Sequence, residues 1–161
     1  LADMSEIVDH SIELANTTLS DPKGLRFQDI KIERLIESDL PKIPCYVAEM
    51  QQVFLSLFRH CVHALALKTV AFTPTITIEI SECYDALWMK VSHNGVGLSA
   101  EEQQNLFEPF FSNLPLITKK VQAENRLSFT HFIITDHHQG QVAITSDTNV
   151  GTTFHIQLQL S

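Results

Sequence analysis

Between Asp3 and Thr18 the apolar residues Ile7, Val8, Ile12, Leu14 and Ala15 recur at roughly the 3.6-residue spacing of an amphipathic helix, behind an Asp3-x-x-Glu6 pair suited to a helix start. Ser20-Asp21-Pro22-Lys23-Gly24 ends that helix. The period then falls to two: Ile30, Ile32, Arg34 and Ile36 share one side and Lys31, Glu33 and Leu35 the other, which predicts a strand. A turn-rich link through Asp39-Leu40-Pro41 and Ile43-Pro44 follows. From Val47 to Leu67, Met50, Val53, Phe54, Leu57, Phe58, Cys61, Ala64 and Leu65 repeat at three and four, the strongest helical signal in the chain. Thr75 to Ile80 and Ala86 to Val91 flank Glu82-Cys83-Tyr84-Asp85 as a hairpin, and Ser99-Ala100-Glu101-Glu102 opens a short helix. Patterning weakens from Phe107 to about Asn125. A helix from Ser128 to His137 and strands Gln141 to Ser146 and Thr153 to Leu160, joined by a turn at Asp147 to Gly151, complete the reading.

Strands that come in hairpins exclude a doubly wound parallel sheet. The expected fold class is α+β, a two-layer α/β sandwich whose mixed, mostly antiparallel sheet carries helices on one face. The 161 residues suffice for one domain with a sizeable core, and no internal repeat is visible.

Charge narrows the function classes. With 11 Lys and Arg against 19 Asp and Glu, the net charge of −8 argues against a nucleic-acid partner or direct contact with anionic lipid. Cys45, Cys61 and Cys83 are odd in number and form no CxxC pair, as expected of buried free thiols in the cytoplasm. Neither a transmembrane helix nor a signal peptide is predicted, and a first residue other than Met suggests a piece of a larger protein. The 5 glycines are about half the usual share or less, which limits how many phosphate cradles the backbone can build.

Candidate chemistry begins at Val91-Ser92-His93-Asn94-Gly95-Val96-Gly97-Leu98, after a strand and before a helix start. Alone, the G-x-G reads as a tight turn requiring positive φ. Its companions, in fixed order, are the Gln51 to Leu65 helix, Leu106-Phe107-Glu108-Pro109-Phe110-Phe111-Ser112, and Asn149-Val150-Gly151-Thr152-Thr153-Phe154. Together, from about Asp3 to Leu160, these resemble the nucleotide-binding catalytic domain of sensor histidine kinases, in the ATPase superfamily shared with gyrase and Hsp-type chaperones. The resemblance implies a single domain over 1–161 with an ATP lid at 113–127.

In that family the long helix carries an Asn that holds Mg²⁺ against ATP, a DNGxG turn carries an Asp that accepts from the adenine amino group, and a glycine-rich lid wraps the triphosphate. Laid on this chain, the Mg²⁺-holding position is His60, with Ser56 one turn earlier, and the adenine-reading position is His93. Imidazole suits Mg²⁺ poorly, and a neutral ring has one acceptor at most. The lid glycines fall at Glu124-Asn125-Arg126. What is retained is mainly architectural: Asn94, Gly95, Gly97, Phe107, Phe111 and Gly151, together with Thr152, which in the family helps hold adenine.

The resemblance therefore implies a degenerate copy with no catalytic residues, no expected cofactor, and absent or very weak ATP and Mg²⁺ binding. Its partners would be the helical dimerisation and phosphoacceptor domain of the same or another kinase, and a response regulator. A working autokinase domain is one alternative, and a pocket remodelled for another small ligand or a metal is a second. For the metal, His60, His63 and His93 would have to converge. The plainer reading makes the helical pair fillers or surface residues and gives His93 a neighbour to bond. His137 and His138 read as the end of a helix with Gly140 as its turn. Leu114 to Val121, apolar and without glycine, would dock on a partner or fill the pocket.

Overall fold

The computed structural model describes residues 1–106 and 127–160. Helix α1 spans Met4–Thr18, and the Asp3 carboxylate accepts the Ser5 N–H at 2.9 Å, satisfying a first-turn donor. Its inward stripe is Met4, Ile7, Val8, Ser11 and Ala15. The buried Ser11 hydroxyl returns to the Ile7 carbonyl at 2.7 Å, so it enters the core without an orphaned proton. Helix α2, Val47–Leu67, buries every residue of the predicted stripe and adds His60 and Val62. The stripe is broad because α2 packs on α1, on the central strand of the sheet and on the segment Ser128–His137. Phe58 stacks on Phe27 and Phe54 at centroid distances of 5.1 and 6.2 Å. Each such fully buried ring contributes roughly 1.5–3 kcal/mol of transfer free energy.

Strands β1 (Lys31–Ile36), β2 (Thr75–Cys83), β3 (Ala86–His93), β4 (Gln141–Asp147) and β5 (Gly151–Gln159) form one sheet in the order β1-β2-β3-β5-β4. Only β1 and β2 run parallel, because α2 lies between them in the chain and returns β2 in the same direction. The other pairs are antiparallel. On β2, β3 and β5 every second residue is buried: Ile76, Ile78 and Ile80, then Leu87, Met89 and Val91, then Phe154, Ile156 and Leu158. Ile78 stands beside Val91 and Val91 beside Phe154, so the sheet's core face is continuous across strands. The result is the predicted two-layer sandwich.

Several boundaries differ from the sequence reading. The hairpin strands run on to Cys83 and His93, and its turn is only Tyr84-Asp85, at φ 53° and 59°. Glu82 and Cys83, expected in that turn, instead pair with Leu87 and Ala86. The single helix predicted over 128–137 is helix α4, Ser128–Phe132, followed by a π-helical turn, Ile133–His137. There the Thr135 hydroxyl donates to the His131 carbonyl at 2.7 Å and the His138 ring donates to the Ile133 carbonyl at 2.8 Å. Side chains competing for main-chain acceptors accompany the widened turn. Helix α3, Ala100–Asn105, starts on a reciprocal Ser99 and Glu102 capping box.

The cysteines are not uniformly buried. Cys61 is, and burial pushes its thiol pKa up, but Cys45 is half-buried and Cys83 is exposed where β2 runs beyond the core. Among the described residues, no helix is long and apolar enough to cross a membrane.

Candidate functional site

Strand β3 ends on its core face with His93, which is 6% exposed. Its cross-strand neighbours are Ile76 on β2 and Thr152 on β5. From α2 the buried His60 ring approaches to a centroid distance of 6.0 Å, and that ring stands edge-on to Phe154 at 5.2 Å. The two positions that the family resemblance assigns to Mg²⁺ and adenine are thus brought together. His63 does not join them: its Nδ1 lies 3.3 Å from the buried Asp21 carboxylate. The three-histidine convergence that the metal alternative would require is therefore not formed. Among the described residues no group of three or more His, Cys, Asp or Glu is arranged to hold a metal ion.

The loop after β3 is fixed at every step. Asn94 accepts the Thr75 N–H through Oδ1 and donates from Nδ2 to the Thr73 carbonyl, both at 2.9 Å. The Lys68 ammonium donates to the Asn94 carbonyl at 2.9 Å, and the Val96 N–H donates to the Ala64 carbonyl at 3.1 Å. A Cβ on Gly95 would stand 2.6 Å from the Ala64 carbonyl oxygen, and one on Gly97 would strike the Asp147 carbonyl. Neither glycine has positive φ, so the expectation of a turn needing that conformation is corrected. These glycines permit main chain to lie directly on α2 and on the β4–β5 turn. Positive φ belongs instead to Gly151, at 135°, whose missing Cβ clears the His93 carbonyl. Near the end of the π-helical turn it falls on Gln139 at 50°, not on Gly140, which clears the Gln157 carbonyl.

Ser146 is a hub that the sequence reading missed. Its hydroxyl oxygen accepts the Leu98 N–H at 2.7 Å, lies 2.7 Å from the Thr152 hydroxyl, and donates to the Gly151 carbonyl at 3.2 Å. Thr152, 1% exposed, is thereby engaged within the protein. Lys68 was missed too, although a cation at a helix C-terminus is a recognisable signal. Ser56, one turn before His60, is half-buried and accepts from Gln52 Nε2 at 3.4 Å. Phe107, Phe111, Glu124 and Arg126, with the Leu114 to Val121 stretch, lie outside the described residues. The flanks of that segment do meet: the Leu127 N–H donates to the Leu106 carbonyl at 2.9 Å, and both side chains are buried.

His93 carries the electrostatics. Its Nδ1 accepts the Gly95 N–H at 2.9 Å, so in the neutral ring the proton is on Nε2. Burial above all, then the neighbouring His60 and Lys68, lowers its pKa to about 3. The ring is therefore neutral at physiological pH and turns a donor, not an acceptor, away from the loop. A cavity of about 360 Å³ opens elsewhere, beside Asp3, His10, Lys42 and Gln51, and uses none of these residues.

The pattern described as histidine kinase-, DNA gyrase B- and HSP90-like ATPase matches residues 46–161. Sporulation kinase E of Bacillus subtilis (strain 168) is 22% identical over 155 residues, covering 96% of this chain and 19% of that protein. Sensor histidine kinase ZraS of Escherichia coli (strain K12) is 23% identical over 159 residues, covering 99% of this chain and 30% of that protein. The chain thus spans under a third of the length of these curated relatives. The solved catalytic domain of histidine kinase ThkA superposes with a TM-score of 0.73 at 18% identity, over 98% of this chain and 92% of that one. ThkA in complex with the response regulator TrrA gives the same TM-score and identity, over 99% of this chain and 41% of that one.

Proposed function

Because the chain belongs to the histidine kinase-, DNA gyrase B- and HSP90-like ATPase family, we propose that it is a catalytic-type domain of two-component signalling that has given up ATP binding and works through protein contacts. The observation that carries this reading is the hydrogen-bond sense of His93. Adenine recognition at this position needs an acceptor opposite an amino group. The only acceptor of the neutral ring is already engaged by Gly95, and the remaining nitrogen is a donor. Donor meeting donor at a buried position costs the full desolvation of both groups, about 1–3 kcal/mol each.

The Mg²⁺ position points the same way. His60 supplies imidazole where a hard cation wants oxygen, and its ring faces His93 and Phe154. The residues described therefore do not fit ATP with Mg²⁺. The work of Asn94, Gly95, Gly97, Ser146 and Gly151 is to hold the loop, the helix end and the β4–β5 turn together. That preserves a rigid surface whether or not a nucleotide binds. Likeness to sensor kinases, and to a kinase solved with a response regulator, supports a response regulator or a helical phosphoacceptor domain as the partner.

Thermal denaturation with and without millimolar ATP and Mg²⁺ tests the reading. A ligand at 100 times its dissociation constant adds about 2.7 kcal/mol. No shift in melting temperature is expected, and a clear rise would restore the working-autokinase alternative.

A further inference from the structure

The sheet ends on β1 at one side and on β4 at the other, and the two edges are built differently. An edge strand presents a row of unpaired main-chain donors and acceptors, a ready template for another strand, and edges are commonly blunted by charge, proline or a bulge. β1 has that protection. Lys31, Glu33 and Arg34 lie along it, Lys31 and Glu33 are 3.5 Å apart, and Arg34 reaches Asp9 of α1 at 2.7 Å. β4 has none. From Gln141 to Ser146 it carries no charge, proline or glycine, and its register with β5 runs unbroken from Gln141 to Asp147. Among the described residues no strand pairs with its outer side. Nor is its apolar face closed: Val142 and Ile144 are only half-buried, although their neighbours on β5, Ile156 and Phe154, are buried.

We propose that β4 pairs with β4 of a second copy of this chain, antiparallel about a twofold axis, joining two sheets into one. A twofold contact requires a surface that complements itself, and β4 meets that condition. With Ala143 set against its counterpart in the copy, Val142 stands beside Ile144 and Gln141 beside Thr145, each pair occurring twice. Asp147 then faces Gln139 and not another carboxylate. Residues opposite one another in this register share a face of the sheet, so the apolar pairs extend the core and the polar pairs stay on the open side. The net charge of −8 sets two copies against each other in general, and the uncharged edge lets them meet without like charges in contact. The pairing uses the sheet edge alone and is independent of whether a nucleotide binds.

Sedimentation equilibrium of the 161-residue chain over a wide range of concentration tests it. A monomer that gives way to a dimer as concentration rises is expected. Ala143 is exposed, so Ala143→Glu leaves the monomer intact while setting two carboxylates against each other at the axis. The dimer should weaken at least tenfold with the circular dichroism spectrum retained, and Leu35→Glu on the opposite edge should leave association unchanged. Disulfide formation reads the register, in a Cys83→Ser background because Cys83 is exposed. Opposed residues of an antiparallel pair lie about 4.5–5.5 Å apart, within reach of a disulfide, so Ala143→Cys should yield a covalent dimer. Thr145→Cys, two positions from the axis, should not. A chain that stays monomeric at millimolar concentration, a dimer as strong in Ala143→Glu as in the wild type, or cross-linking at position 145 in preference to 143 would each overturn the proposal. A monomer whose β4 amides are nevertheless protected from exchange would assign the edge to another occupant, and would overturn it equally.

Discussion

Lowering the pH from 7.5 to 5.5 is expected to remove about 1.4 kcal/mol of folding stability through His93 alone. In the unfolded chain its imidazole titrates at about 6.5, whereas the folded environment lowers that value to about 3. Between those values the unfolded chain binds a proton that the folded chain refuses. Stability from this group is therefore fully present above about pH 6.5 and is lost as the pH falls towards 3. The loss grows to about 2.7 kcal/mol by pH 4.5, as RT ln of the ratio of the two proton-binding polynomials. Urea denaturation at a series of pH values, on wild type and His93→Asn, isolates the contribution, since the remaining histidines cancel in the difference. Removing the ring lowers stability at every pH through lost packing, but the gap between the two proteins should narrow by about 1.4 kcal/mol between pH 7.5 and 5.5. Parallel stability curves would refute a buried neutral His93, and with it the assignment of the proton to Nε2.

Three smaller tests address the frame around that residue. Gly97→Ala forces a methyl group onto the Asp147 carbonyl and should cost more than Gly24→Ala, which meets no atom within 4 Å and bears only the strain of φ 102°, about 1–2 kcal/mol. Equal denaturation midpoints for the two variants would count against close approach as the reason for Gly97. Ser146→Ala removes the acceptor for Leu98 N–H and the partner of Thr152, with an expected loss of about 1–3 kcal/mol in chemical denaturation. Ser99→Ala dissolves the capping box of α3 and should cost about 1 kcal/mol, readable as faster amide exchange over Ala100–Asn105.

Much of the frame was legible before any coordinates. The stripe from Met50 to Leu65 required one long helix with a broad face buried in the core. Period-two alternation placed β1, and runs rich in Ile, Thr and Val placed the β2–β3 hairpin, while the inward residues of β2, β3 and β5 are seen in the structure. Turns were read less well. Asp85 is of a type that tolerates left-handed backbone, but Tyr84 adopts it without any such signal, and at Ile133–His137 side chains competing for local acceptors accompany the π-helical turn. At the site, the replacement of acceptor and oxygen ligand by His93 and His60 was visible in the sequence, but which nitrogen of His93 remains available was not. Ser146 escaped notice because a serine near the end of a strand is unremarkable until its neighbours are known.

By itself the sequence determined the elements, the family pattern and the residue types standing at its key positions, since these follow from local periodicity and side-chain chemistry. Tertiary structure decided how those residues are used. Packing of the loop on the last turn of α2 gave the glycines their purpose as points of contact, and it aimed the Gly95 N–H at His93 Nδ1. Burial between helix and sheet then kept that ring neutral, leaving a single donor at the heart of the site. Hydrogen-bond direction and desolvation depend on neighbours distant in the chain, so composition and spacing do not encode them locally.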